Sequence, residues 1–291
     1  GGGRGGAGGG GTVDFSKPMF IGTYGEWTKK EGVSRVDPAK PGAQSLVFED
    51  ARLTITKARN ADMFAFSRGT FNEFPDWWVS NSPTLANATR VSNVNPVLSE
   101  LAISSGTRLI DYTSAKGDKL QGALYLPANY EPGKKYPMLV TIYEKRSQNK
   151  NNFVNPSETQ TPNARMYTSN GYIVFDPDIV YKVNDPGMSA VWSVIPAVKA
   201  AIATGMVDEK NIGLWGHSWG GYQTAFLVTQ TDLFKSAVAG AALTDMVSMY
   251  SSIYWNTGGS NQAIFESSQG RFKGNFIENY DAYIRNSPVF H

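Results

Sequence analysis

Apolar and polar positions follow two different patterns along the chain. From Thr12 to about Leu101, short apolar runs alternate with turn residues, and no helical periodicity accompanies them. This pattern indicates an all-β unit, and about ninety residues would supply one or two propeller blades of about four strands each. The strands predicted in it are Met19–Thr23, Val33–Val36, Ser45–Phe48, Leu53–Lys57, Met63–Ser67 and Trp77–Ser80.

Six aromatic residues are expected to form the core of this unit, since large rings supply much of the apolar area that a protein buries. They are Phe64, Phe66, Phe71, Phe74, Trp77 and Trp78. The unit is preceded by residues 1–11, of which nine are glycine. Such a segment cannot bury apolar surface, so a flexible linker or loop is predicted there.

After Asn95-Pro96 the pattern changes to strands that alternate with helices, which indicates a parallel α/β sheet. Uninterrupted apolar runs are typical of strands buried on both faces. Such runs predict strands at Met138–Tyr143, Tyr172–Phe175, Ile212–Trp215 and Ala237–Gly240. Before them, alternation at Thr107–Thr113 and Leu120–Leu126 predicts a hairpin across Lys116-Gly117-Asp118. Helices are predicted at Ala164–Ser169, from Asp185 to Gly205 around Pro196, from Tyr222 to Val228, from about Asp245 through Tyr254, and at Phe276–Ile284, with loops at 258–274.

The run Ile212–Tyr222 places G-x-S-x-G between a short apolar run and a helical pattern. A strand, a sharp turn and a helix are the context that a nucleophile elbow requires. Gly216 and Gly220 leave room for the neighbouring chain because they have no Cβ. Ser218 is therefore predicted to be a nucleophile at the tip of the turn, and an ordinary Gly/Ser turn is the alternative.

The residue that would activate Ser218 is harder to find. A serine hydroxyl is a weak nucleophile until a base takes its proton, and the chain contains two histidines. His217 lies next to Ser218 and would point elsewhere, so a packing role is predicted for it. Asp281 and His291 follow Ser218 in the order that α/β-hydrolases use, but no strand separates them. We therefore expect that the chain ends before the strands that carry the acid and the base.

Two groups are candidates for an oxyanion hole. One is the backbone N–H of Trp219, the residue after the nucleophile. The other is the hydroxyl of Tyr143, at the C-terminal end of a buried strand, where the sites of open α/β sheets gather. An ordinary aromatic residue at a strand end is the alternative for Tyr143.

The run IGLWGHSWGGYQTAFLVTQTDLFKSAVAGAALTDMVSMY resembles the nucleophile region of the prolyl oligopeptidase family of serine peptidases. The resemblance extends from about Thr107 through YPMLVTIY and GYIVFDPD to NSPVFH. It implies that Ser218 is the nucleophile and that Trp219 N–H and Tyr143 form the oxyanion hole, as in the dipeptidyl-peptidase branch. In that branch two tyrosines four residues apart on a helix help line the pocket that binds the substrate residue before the cut bond. Tyr250 and Tyr254 match them.

The same resemblance implies a domain organisation, because the family places a β-propeller before its hydrolase domain. We expect a linker or loop at 1–11, part of a propeller at 12–105, and an α/β-hydrolase domain at 106–291 that is truncated at its C-terminus. The sequence departs from the family at Glu144–Ser147, where a Gly-Gly-Pro-like turn often follows the tyrosine.

Composition narrows the remaining possibilities. With 41% apolar and 18% charged residues and a net charge of +2, the chain is typical of a soluble globular protein, and nucleic acid is not an expected partner. No cysteine is present, which excludes disulfides and thiolate catalysis, and no metal or cofactor is predicted. No apolar run reaches the roughly 18 residues of a membrane span. A peptide is the expected substrate, the full-length parent could form a homo-oligomer, and the compartment is not indicated.

Three functions remain open at this point. The chain could belong to a serine peptidase that acts through an acyl-enzyme, to an esterase or acyl-hydrolase with the same elbow, or to a non-catalytic interaction protein on the same fold. The β-rich N-terminal segment favours the peptidase, since simple esterases have no propeller. Because the acid and the base are expected outside the chain, the 291 residues alone are predicted to be inactive.

Overall fold

The computed structural model describes residues 14–157 and 162–291, and the predicted linker at 1–11 lies outside them. The described chain forms two compact units. One contains the residues up to Gly69 together with Pro75–Val94, and the other contains Thr70–Phe74 and Asn95–His291.

The first unit consists of two antiparallel sheets. Strands β1 (Met19–Tyr24), β2 (Glu31–Val36) and β3 (Ala43–Glu49) form one, and β4 (Arg52–Lys57), β5 (Phe64–Gly69), β6 (Asp76–Ser80) and β7 (Thr89–Arg90) form the other, each in chain order. All six predicted strands are confirmed to within a few residues. Strand β7 was not predicted, because two residues are too few to show a period of two.

The predicted aromatic core of this unit is only partly correct. Phe64 and Phe66 are buried, and Phe66 stacks on Trp78, but Trp77 is 45% exposed on the opposite face of β6. Phe71 and Phe74 belong to the second unit, where they pack on Tyr125 and Phe153. Alternation orients side chains only within a strand. It therefore could not show that the chain leaves the sheet after Gly69.

The second unit is built on a six-stranded sheet with the order β13-β12-β10-β11-β9-β8. Its four strands β10, β11, β12 and β13 are parallel, and β9 and β8 continue the sheet antiparallel. The strands are β8 (Thr107–Thr113), β9 (Lys119–Tyr125), β10 (Tyr136–Ile142), β11 (Ile173–Pro177), β12 (Val207–His217) and β13 (Ser236–Gly240). Each was predicted, β8 and β9 as an alternating hairpin and the others as apolar runs. Strands β10 and β11 are buried as such runs indicate, whereas β13 at the edge of the sheet is exposed.

Helices cover this sheet and connect its strands. They are α1 (Ala164–Ser169), α2 (Pro186–Ala203), α3 (Trp219–Leu227), α4 (Met246–Tyr250), α5 (Gln262–Glu266) and α6 (Tyr280–Arg285), with 3₁₀ turns at Pro96–Glu100, Ser147–Asn149 and Pro288–Phe290. Helix α2 continues through Pro196 and ends before Gly205, as predicted. The prediction of loops at 258–274 is wrong over α5, and α6 begins four residues after the predicted Phe276. Both errors arise because short helices show too little periodicity.

The core of the sheet is formed where α2 packs on its central strands. Val140, Phe175 and Leu214 of β10, β11 and β12 are fully buried in one cluster with Val194 and Val198 of α2. With 18 residues and a mean hydropathy of 1.2, α2 also has the dimensions of a membrane span, although half of that stretch is buried inside the protein. No other helix in the described part of the chain has these properties.

Candidate active site

Ser218 lies alone between two regular elements. Strand β12 ends at His217 and helix α3 begins at Trp219, and Ser218 between them has φ 57° and ψ −117°. Such a conformation is costly for a residue with a Cβ and persists only where its surroundings enforce it. The Ser218 N–H donates to the Gly240 carbonyl of β13 at 2.8 Å, and its carbonyl accepts from the Tyr222 N–H at 3.0 Å. The side chain is exposed, as a nucleophile must be.

Three glycines make this turn possible because main chain lies where their Cβ atoms would stand. A Cβ on Gly216 would approach the Gly220 carbonyl oxygen to 2.0 Å, and one on Gly221 would approach the Gly240 oxygen to 2.3 Å. A Cβ on Gly220 would lie 2.4 Å from the Ile142 oxygen and 3.5 Å from Cδ2 of Tyr143. The elbow is therefore pressed against the ends of β10 and β13, and Tyr143 stands beside it.

Tyr143 follows the last residue of β10 and is held at both ends. Its carbonyl oxygen accepts a hydrogen bond from the Tyr181 hydroxyl at 2.9 Å. Its phenolic oxygen accepts one from Nε2 of Gln269 at 2.7 Å. Burial, with the nearby Glu144 carboxylate, raises the pKa of Tyr181, so this hydroxyl remains a donor over the ordinary pH range. The side chain of Tyr143 is half-buried beside the elbow, and the contact with Gln269 fixes the position of its hydroxyl group.

The backbone of Trp219 offers a second donor beside Ser218. Trp219 is the first residue of α3, and helix geometry leaves the first N–H groups of a helix without partners inside it. The partial positive charge of the helix N-terminus adds to the attraction for a developing anion. The indole ring is buried 4.8 Å from the Tyr222 ring, which fixes this first turn.

The two histidines are engaged elsewhere. The His217 ring is stacked on Trp215, two residues earlier in β12, at a centroid distance of 6.2 Å. His291 Nε2 lies 2.9 Å from the Arg285 carbonyl oxygen, and its ring packs on Phe226. Asp281 is exposed in the first turn of α6. Within the described residues neither histidine is hydrogen-bonded to Ser218, so this geometry gives no support to a triad of Ser218, Asp281 and His291.

The expectation that Tyr250 and Tyr254 share one helix face is wrong. Helix α4 ends at Tyr250, and the Ser252 hydroxyl and N–H both bind the Met249 carbonyl, which turns the chain away. Tyr254 lies in the following turn, 42% exposed, with its N–H donating to the Gly259 carbonyl. Serine competes for backbone hydrogen bonds in this way at helix ends.

Tyr250 itself is buried in an aromatic cluster. Its ring lies 5.3 to 5.8 Å from those of Phe265, Phe276 and Tyr283. Its hydroxyl donates to the Glu266 carboxylate of α5, and this hydrogen bond, with burial, raises the pKa of Tyr250 to about 12. Tyr250 therefore has a neutral hydroxyl within a mostly apolar aromatic cluster.

The loop after Tyr143, where the sequence departs from the family pattern, is fixed by two buried aspartates. The N–H groups of Arg146 and Ser147 donate to the Asp178 carboxylate, each at 2.7 Å, and the Ser147 hydroxyl donates to it at 2.6 Å. The Arg146 guanidinium donates to Asp176 at 3.1 Å. Burial works against its charge, but Asp176 outweighs burial and raises the pKa of Arg146. Ionic and backbone contacts thus replace the glycine-rich turn.

Comparison with known proteins bears on the family to which the sequence was likened. The sequence profile of the prolyl oligopeptidase family matches residues 184–291, which contain the elbow, Tyr250 and Tyr254. The resemblance to the prolyl oligopeptidase family is confirmed. Similar members are prolyl endopeptidase FAP of Homo sapiens, 30% identical over 140 residues or 45% of this chain, and dipeptidyl peptidase 4 of Bos taurus, 25% identical over 172 residues or 56% of this chain. The matched regions make up 18% and 22% of those two proteins.

A solved structure extends the likeness to both units. Dipeptidyl peptidase 4 of Porphyromonas gingivalis superimposes with a TM-score of 0.64 at 20% identity, over 96% of this chain and 39% of that one. At this identity the likeness shows the fold alone. The chain therefore has the α/β-hydrolase fold preceded by a β-rich segment of the kind that ends a β-propeller, as expected.

The position of Tyr143 at a strand end and the prolyl oligopeptidase resemblance both indicated Tyr143, but neither indicated the residues that hold it. Gln269 and Tyr181 were not singled out by any motif, and Gln269 lies in the stretch that was expected to be a loop. The pair of aspartates in the run FDPD, Asp176 and Asp178, could have been noticed as charges at the end of a buried strand. The one feature of the sequence that could have drawn attention to Gln269 is the glycine that follows it, Gly270.

Proposed function

We propose that this chain is the nucleophile-bearing part of a serine peptidase and that Ser218 attacks the carbonyl carbon of a peptide bond. The observation that carries the proposal is the strained backbone of Ser218, enforced by main-chain contacts of Gly216 and Gly220 at the junction of β12 and α3. Strain of this kind is stored at functional sites. Family membership and the names of its relatives support a peptide as the substrate.

In this reaction the Ser218 oxygen bonds to the carbonyl carbon while its proton passes to a general base. The carbonyl electrons move to oxygen, and the Trp219 N–H and the Tyr143 O–H stabilise that oxyanion. Collapse of the intermediate breaks the C–N bond, and the amine leaves with the proton. Water then hydrolyses the acyl-enzyme and regenerates Ser218. Because His217 and His291 are held by other contacts, we assign the base and its acid to a part of the protein outside these 291 residues.

The remaining assignments follow the same reasoning. Tyr250, with its neutral hydroxyl on Glu266, would form the inner wall of the pocket for the acyl side of the substrate, and the more exposed Tyr254 would form its rim. Residues 12–105 would be the end of a β-propeller. The 291-residue chain on its own would be inactive, since loss of the base removes the activation of Ser218.

The test is hydrolysis of a peptide p-nitroanilide and a matched short acyl ester by the full-length protein. Ser218→Ala should lower kcat on the amide by at least about 10³-fold, as loss of a triad residue does. Ser248→Ala, an exposed serine of α4, is the control and should not change it. Amide hydrolysis that persists in Ser218→Ala would overturn the proposal, and cleavage of the ester without the amide would favour an esterase.

A further inference from the structure

The segment Gln269–Arg271 reaches two consecutive residues at the end of β10. Gln269 donates through Nε2 to the phenolic oxygen of Tyr143 at 2.7 Å. Arg271 forms an ion pair with Glu144 at 3.1 Å, and its guanidinium lies 4.1 Å from the centre of the Tyr181 ring. The segment therefore contacts both Tyr143 and Tyr181, the residue that holds the carbonyl of Tyr143.

Local backbone geometry fixes the segment in this place. The Gly270 N–H donates to the Ile264 carbonyl at 2.7 Å, and the Phe272 N–H donates to that of Phe265 at 2.9 Å. A Cβ on Gly270 would lie 2.6 Å from Cα of Phe265, so a glycine is needed for this tight return. The chain thus folds back against α5 at Gly270, and Gln269 and Arg271 are the residues on either side of this fixed glycine.

Arg271 has φ 54°, a conformation that non-glycine residues rarely adopt. It faces Asn184, which has φ 64° and whose N–H donates to the Arg271 carbonyl at 3.2 Å. The Asn184 side chain accepts from the Lys273 N–H at 2.7 Å. Two strained residues thus stabilise one another, which is how unfavourable backbone persists at sites that need a fixed geometry.

The direction of the hydrogen bond at Tyr143 matters because a phenol has a single proton. A side-chain amide nitrogen can only donate, so the contact with Nε2 occupies the phenolic oxygen as an acceptor and leaves its proton unused. The backbone of Tyr143 is already fixed through its carbonyl by Tyr181. What remains to be set is the ring's orientation and the rotation of its hydroxyl.

We infer that Gln269 is a positioning residue that orients the Tyr143 hydroxyl so that its proton points toward the oxyanion formed at Ser218. This inference rests on the proposed function, in which Tyr143 is an oxyanion donor. Gln269 does not touch the substrate; it acts through Tyr143, and Gly270 and Arg271 keep it in place. An N–H that donates to the phenolic oxygen also withdraws electron density and strengthens the O–H as a donor.

The test compares two substitutions in the full-length protein with a peptide p-nitroanilide. Gln269→Glu places a carboxylate where it accepts the Tyr143 proton and turns it away from the site. We expect kcat to fall by about 10²-fold, the loss caused by removing one oxyanion donor, with little change in KM. Gln269→Leu leaves the Tyr143 hydroxyl without a partner that orients its proton, and we expect a smaller fall in kcat of about tenfold.

Two controls separate proton direction from charge and from folding. Gln262→Glu adds the same charge on the exposed face of α5 and should leave kcat unchanged. In a Tyr143→Phe background, which alone should cost about 10²-fold, Gln269→Glu should cost no more than about a further threefold. Thermal unfolding should show that both Gln269 variants stay folded at the assay temperature, so that a fall in kcat is not a loss of folded protein.

The possible results are distinguishable. If Gln269→Glu and Gln269→Leu lower kcat equally, or if the effects of Gln269→Glu and Tyr143→Phe simply multiply, the inference is overturned while Ser218 keeps its role. If Tyr143→Phe has no effect although Ser218→Ala abolishes hydrolysis, the inference fails with the oxyanion assignment of Tyr143. If Ser218→Ala remains active, the proposed function fails first.

Discussion

The elbow and the Gln269–Arg271 segment hold the two sides of the candidate site by different means. At the elbow, Gly216, Ser218 and Gly220 lie within five residues of sequence, and their backbone contacts impose the turn. The contact of Gln269 with Tyr143 joins residues 126 positions apart. The nucleophile is thus placed by main-chain contacts, both within the turn and with the ends of β10 and β13, whereas the oxyanion donor is held by a side chain distant in the sequence. The two sides should therefore respond differently to substitution.

Gly216→Ala should produce the largest effect, because its Cβ would meet the Gly220 main chain at 2.0 Å. Neither backbone can move without breaking β12 or α3, so we expect the free energy of unfolding to fall by about 3 kcal/mol or more, at the upper end of overpacking costs. Urea unfolding measures this. Gly259→Ala is the matched control, since its Cβ meets only Oγ1 of Thr257 at 3.4 Å. Equal stability of the two variants would show that the elbow is not sterically enforced.

Gly270→Ala should separate the two regions. Its Cβ would lie 2.6 Å from Cα of Phe265, so the Gln269–Arg271 segment must shift while the elbow stays intact. We expect a loss of about 1–2 kcal/mol in the free energy of unfolding, because this segment lies outside the regular strands and helices and can shift where the elbow cannot. In the full-length protein kcat should fall as in Gln269→Leu. A variant with a normal kcat would mean that the segment does not act on Tyr143.

Tyr250→Phe should have the smallest effect, about 1 kcal/mol for the hydrogen bond to Glu266. The pH dependence is more diagnostic. Because the pKa of Tyr250 is raised to about 12 in the folded state from an ordinary value near 10, its contribution to stability is complete below pH 10 and is lost as the pH rises toward 12. Urea unfolding of the unsubstituted chain at pH 8, 10 and 11 should show this loss. The same decline in Tyr250→Phe would exclude Tyr250 as its source.

Features set by neighbouring residues could be predicted from the sequence, whereas features set by distant partners could not. The parallel strands, α2 and the elbow were predicted correctly because each is marked by its own residues, such as the apolar run of β10 or the glycines around Ser218. The shared helix face of Tyr250 and Tyr254 was not, because the turn at Ser252 depends on side-chain bonds that periodicity does not record. Gln269 was missed because its role exists only through a distant partner.

The proposed mechanism requires Ser218 to be the nucleophile. The most direct measurement is covalent labelling of the full-length protein with a fluorophosphonate, followed by mass spectrometry of its peptides. We predict a single adduct on the peptide that contains Ser218, lost in Ser218→Ala and formed more slowly in Tyr143→Phe. An adduct on a different serine, or full hydrolytic activity with Ser218 unlabelled, would contradict the central claim.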